Sequence, residues 1–132
     1  MTLVLDASAA VQIILRKEKF GLYAERFEAA SWVIAPDLFV PELANVLWKY
    51  LRAGILDHAA CLERVTDGIE LVDDFFGSLE LWKEALAEGI RHDHSAYDMF
   101  YAVLARRNDA TLLSNDARLR ETCAAMRVEC FG

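Results

Sequence analysis

Apolar and polar positions change period repeatedly along the chain, and each change marks an element. Thr2–Leu5 is a short apolar run of the kind a strand buried on both faces requires. Ser8–Arg16, with Val11, Ile13, Ile14 and Leu15, reads as an apolar helix, broken by Arg16-Lys17-Glu18-Lys19. A second helix is expected from Gly21 to Ala30, with Leu22, Tyr23 and Phe27 on its buried side. Trp32–Ala35 is the second strand, stopped by Pro36. From Leu38 to Ala53, residues Leu43, Val46, Leu47, Tyr50 and Leu51 recur at helical spacing, and Gly54 stands where a helix-ending glycine belongs. Asp57 is placed to cap a helix running to Asp67, and Ile69–Val72 reads as a third strand.

A further helix is expected from Ser78 or Leu79 to Arg91, with Leu81, Trp82, Ala85 and Leu86 inward. Ser95 caps a helix through Arg107, Thr111–Leu113 is a fourth strand, Ala117–Met126 the last helix, and Val128–Cys130 a short final strand. The order β-α-α-β-α-α-β-α-α-β-α-β contains no linker or repeat. It predicts one α/β domain over residues 1–132, a mainly parallel central sheet of four to five strands flanked by helices on both faces.

Four acids stand at predicted helix starts: Asp6, Glu42, Asp98 and Asp116. Taken singly, each has an ordinary explanation as a cap or as a carboxylate favoured by the helix dipole. Two contexts argue for more. Asp6 ends what should be a buried central strand, and no Lys or Arg occurs in the next nine residues. Asp98 interrupts an almost wholly apolar helix. In open α/β sheets ligands bind beyond the carboxyl ends of the strands, where helices begin. Carboxylates gathered there repel one another, so they hold either protons or a cation. Oxygen-only ligands suit Mg²⁺ or Mn²⁺ rather than zinc. His58, His92 and His94 have no zinc-binding spacing, and His92 and His94 are expected in an exposed turn.

Composition narrows the class. The chain is 55% apolar and 27% charged, as expected of a globular domain. Cys61, Cys123 and Cys130 are odd in number and lack metal-ligand spacing, which suggests reduced thiols. No signal-peptide pattern opens the sequence and no apolar stretch approaches a membrane span, so a cytoplasmic protein is expected. The net charge of −7 counts against a simple nucleic-acid-coating module. It leaves room for a nuclease, because bound divalent ions offset part of a carboxylate cluster.

Four segments together resemble the PIN domain, and more narrowly the VapC-type ribonuclease toxins of toxin–antitoxin pairs. They are Val4-Leu5-Asp6-Ala7-Ser8, Pro41-Glu42-Leu43-Ala44-Asn45-Val46-Leu47, Tyr97-Asp98-Met99-Phe100-Tyr101-Ala102-Val103-Leu104-Ala105 and Leu112-Leu113-Ser114-Asn115-Asp116-Ala117-Arg118-Leu119. The resemblance spans essentially the whole chain. It implies that Asp6, Glu42, Asp98 and Asp116 hold Mg²⁺, with Mn²⁺ as a substitute, and cleave RNA through an activated water. Ser8 and Ser114 match small hydroxyl positions beside the metal, and Asn45 could serve as a polar support one turn after Glu42. The resemblance also implies a homodimer and a cognate antitoxin partner, for which Phe39, Trp48, Tyr50 and Leu51 are candidate contacts. An acidic nuclease needs local basic residues to recruit RNA. The candidates are Arg16, Lys17 and Lys19, then Lys49 and Arg52, then Arg118 and Arg120.

Two other functions remain open on sequence alone. An aspartate-nucleophile phosphatase of the haloacid-dehalogenase kind would use Asp6, although Ser8 occupies the position where that chemistry needs a second Asp. A non-catalytic binding module would use the acids only as helix caps.

Overall fold

The computed structural model describes residues 1–132, and its elements follow the predicted order. They are β1 (Thr2–Leu5), α1 (Ala7–Ile14), α2 (Phe20–Ala29), β2 (Trp32–Pro36), α3 (Phe39–Arg52), α4 (His58–Glu70), β3 (Asp74–Phe76), α5 (Ser78–His92), α6 (Ala96–Arg107), β4 (Thr111–Leu113), α7 (Ala117–Met126) and β5 (Cys130–Phe131). All strand pairs are parallel, in the order β3-β2-β1-β4-β5. Leu3, Val4 and Leu5 of the central strand are fully buried.

The alternation of β1 divides the core. Val4, with Ile34 and Leu112, faces Leu81, Ala85, Met99, Val103, Leu119 and Cys123 from α5, α6 and α7. Leu3 and Leu5, with Val33 and Ala35, face Ala9, Ala10, Tyr23, Phe39, Leu43 and Leu47 from α1, α2 and α3. Helices thus cover both faces, as a parallel sheet requires.

Caps fix where the helices start. Asp6 accepts from the Ala9 amide, Asp57 from Ala60, Ser95 from Tyr97, and Asp116 from Arg118 and Leu119. Gly54, at φ 74°, ends α3. The chain leaves β1 one way to β2 and returns on its other side at β4, so the sheet's switch point lies between β1 and β4.

Several expectations need correction. Ile69–Val72 is no strand: Ile69 and Glu70 end α4, Leu71 caps it and Val72 tucks into the core. The third strand is Asp74–Phe76, an edge strand of three residues of which Asp74 and Phe75 are exposed. The last strand begins at Cys130, two residues later than expected. Leu22, Trp82 and Leu86 were expected inward, yet each is more than 40% exposed. Phe39 is fully buried, which removes it from the candidate partner contacts.

Candidate active site

The switch point is where the four acids come together. Asp6 caps α1 directly after β1, and Asp116 caps α7 shortly after β4. Glu42 and Asp98 sit in the first turns of α3 and α6. The backbone amide of Asp6 donates to Leu113 O at 3.2 Å, tying the two strand ends together. All four side chains line one cleft of about 300 Å³, with Ser8, Asn45, Val46, Lys49 and Tyr101. No Lys or Arg forms a salt bridge with any of the four.

Each acid is held by a distinct partner. Asp6 Oδ1 accepts from Ser8 Oγ at 2.7 Å and from the Ala9 amide at 2.9 Å. Glu42 Oε1 accepts from Tyr101 at 2.6 Å. Asp98 Oδ2 lies 2.8 Å from His94 Nε2, whose Nδ1 is 2.7 Å from Thr122 Oγ1. With an ionised Asp98, Nε2 carries the proton, and in the neutral ring Nδ1 then accepts the threonine hydroxyl. Asp116 Oδ1 caps α7. The protein hydrogen bonds to Glu42, Asp98 and Asp116 therefore all fall on one carboxylate oxygen of each.

Burial sets the charges. Asp6 is only 5% exposed, and desolvation raises its pKa from 3.8 to about 6. The hydroxyls of Ser114 and Ser8 and the Ala9 amide oppose that rise, while the charge of Asp98 adds to it. Glu42 is also raised, first by burial and then by the charges of Asp6 and Asp98, against the Tyr101 hydrogen bond. Asp6, Glu42 and Asp98 thus feel one another.

The donor set is hard oxygen throughout, anionic and salt-bridged to no Lys or Arg, which suits a divalent cation such as Mg²⁺. No three of these side chains stand at metal-ligating spacing.

Of the supporting residues, Ser8 and Asn45 line the cleft. Ser8 Oγ accepts the Asn115 amide at 2.9 Å, linking the Asp6 turn to the Asp116 turn. Ser114 is fully buried beneath the cleft and accepts from the Asp116 amide at 3.1 Å. His94 corrects the expected exposed turn: it is 8% exposed and bonded at both nitrogens. His92 is the last residue of α5, 3.1 Å from the buried Glu88. His94 and Tyr101 were not anticipated as site residues. Their only sequence signals are spacings from Asp98, four positions before it and three after.

An acid-lined cleft at the switch point of a parallel sheet defines a class, and a family model of the PIN domain matches residues 3–125. The chain belongs to the PIN-domain family. It is 30% identical to Ribonuclease VapC3 of Pyrobaculum aerophilum, over 96% of this chain and 98% of that relative. Among solved structures, PAE2754 from the same organism superposes with a TM-score of 0.74 at 22% identity, covering 92% of this chain and 79% of the other. VapBC2 from Rickettsia felis, bound to a DNA fragment from its promoter, superposes with a TM-score of 0.69 at 12% identity, covering 99% and 98%. At these identities the two structures speak for the fold.

Proposed function

We propose that this protein is a Mg²⁺-dependent endoribonuclease, with Mn²⁺ as a substitute, acting in the cytoplasm as the toxin of a toxin–antitoxin pair. The observation that carries this reading is the meeting of four carboxylates from four helix starts in one cleft, none of them salt-bridged to a Lys or Arg. The similarity to a protein named Ribonuclease VapC3 supplies the substrate class.

In this reading Asp6, Asp98 and Asp116 hold the ion. When bound, it supplies Lewis-acid activation of a water and stabilises charge on the phosphoryl oxygens. Tyr101 fixes one oxygen of Glu42, leaving the other to orient the attacking water. His94, anchored by Thr122, fixes the rotamer of Asp98. Ser8 and Ser114 hold the Asp6 and Asp116 turns in register, and Asn45 lines the wall beside Glu42.

Membership of the PIN-domain family leaves the phosphatase alternative without support. Capping accounts for part of Asp6 and Asp116, since both do cap helices. It does not account for Glu42 or Asp98, whose carboxylates bond the Tyr101 hydroxyl and the His94 ring rather than a helix-start amide.

An antitoxin and a second copy of the chain are the proposed protein partners. The surface carries two apolar regions suited to such contacts. One is a groove including Leu47, Trp48, Leu51 and Leu62 on α3 and α4; the other is the α5 stripe Leu79, Trp82, Leu86 and Ile90.

Incubating total RNA with the purified protein and mapping new ends tests the reading. Wild-type protein should cut in Mg²⁺ and stop with EDTA, while Asp6→Asn and Asp98→Asn should fall by more than about 100-fold, as loss of a metal ligand demands. Full cleavage by both folded variants would remove the acids from the chemistry.

A further inference from the structure

The basic residues separate sharply by what they already touch. Arg118 donates to Asp93 O and Arg120 to Ser114 O. Arg106 and Arg107 pair with Glu84, and Arg64 with Asp67. Arg26 lies 3.5 Å over the ring of Phe131, and Arg52 is 5.1 Å from that of Trp48. Lys49 differs: it reaches the wall of the acid cleft without a salt bridge. Glu42, Asn45, Val46 and Lys49 recur at three- and four-residue spacing, so one face of α3 carries the acid and, two turns on, the cation.

Lys49 also borders a second hollow of about 310 Å³, whose other walls are Lys17, Tyr50, Ala53 and Ile55. Lys17 comes from the turn after α1, where Arg16 at φ 49° ends the helix. Its Nζ donates to Tyr50 Oη at 2.7 Å and lies 5.0 Å from the ring centroid, while pairing with no carboxylate. Two lysines without a carboxylate partner thus line a hollow with an apolar floor, and one of them, Lys49, also lines the acid cleft. In a chain of net charge −7, overall attraction cannot draw in a polyanion, so a local track has to.

We propose that Lys49 and Lys17 form a subsite for the RNA backbone, binding the phosphates that flank the one cut in the acid cleft. The subsite rests on the RNA-cleaving reading and specifies which wall of the cleft the strand leaves by. Lysine contacts of this kind take phosphates of any sequence, so the subsite sets direction and affinity and leaves base choice to other contacts.

The test measures binding of a fluorescently labelled, mixed-sequence single-stranded RNA oligonucleotide to the full chain carrying Asp98→Asn, across about 50–200 mM salt. Each phosphate contact on a single strand contributes about 0.7 to the salt slope, or about fivefold in affinity near 0.1 M salt. Lys49→Ala and Lys17→Ala should each weaken binding about fivefold, and together about 25-fold, lowering the slope by about 1.4. Lys83→Ala removes the same charge outside both hollows and should leave affinity and slope unchanged. A double variant that binds with parental affinity and slope overturns the subsite, as does an equal loss from Lys83→Ala. Both results leave the ribonuclease reading standing. Failure of the Asp98→Asn parent to bind RNA at all removes that reading and the subsite with it. Unchanged thermal melts of the lysine variants exclude misfolding as the cause of any loss.

Discussion

Asp6 is the residue on which stability and the proposed function pull in opposite directions. Its pKa is raised by burial to about 6, so the folded chain holds a proton that the unfolded chain has already released. Between about pH 4 and 6 the native state binds more protons, and stability therefore falls as pH rises through that window. A shift of this size corresponds to about 3 kcal/mol at neutral pH, with Glu42 acting in the same direction. Asp6→Asn should stabilise the metal-free protein by about 1–3 kcal/mol at pH 7 and flatten its stability profile below pH 6, as followed by urea unfolding in EDTA. A destabilised Asp6→Asn protein would contradict this. His94 acts at the same scale. Without it, Asp98 loses its anchor, and His94→Ala should weaken Mn²⁺ binding by about 10–100-fold in calorimetric titration while the fold persists. The burial of Asp6 was legible because it ends an apolar strand run, where an acid with no nearby cation is costly. That of His94 was not, because its bond to Thr122 joins positions 28 apart.

Among the elements, local signals were reliable wherever a cap or a buried strand fixed the boundary. Thr111–Leu113 and Ala117–Met126 lie where the apolar run and Asp116 put them. The third strand was misplaced because a three-residue edge strand that buries little is too short for a periodic signal, whereas Ile69, Leu71 and Val72 at the end of α4 mimic one. The outward Trp82 and Leu86 defeat helical periodicity for another reason: α5 carries an apolar stripe on its solvent side as well as its core side. One glycine couples this helix to the site. At Gly89 a Cβ would meet the His94 carbonyl oxygen at 2.8 Å, and the His94 amide donates to Gly89 O. Gly89→Ala should cost about 1–3 kcal/mol in thermal or chemical unfolding, and should lower Mn²⁺ affinity by moving the turn that carries His94. A variant that loses stability yet keeps full Mn²⁺ affinity would separate α5 packing from the site.

For the whole molecule, the topology makes the site. A central strand flanked by β2 and β4 places Asp6 and Asp116 at neighbouring strand ends, and crossing helices on opposite faces bring in Glu42 and Asp98. Helix-start acids in four segments made this convergence readable; the distribution of positive charge was not, since most arginines are taken up by local partners that only the fold reveals. The central claim is that these carboxylates share a hard cation. Thermal unfolding of EDTA-stripped protein titrated with Mn²⁺ tests it most directly. A cation at about 100 times its dissociation constant should add about 2.7 kcal/mol of stability to the wild type. That gain should be largely lost in Asp98→Asn and should diminish as pH falls toward the carboxylate range, because protons compete for the same oxygens. A wild-type protein indifferent to Mn²⁺, or an Asp98→Asn variant stabilised to the same extent, would contradict the account.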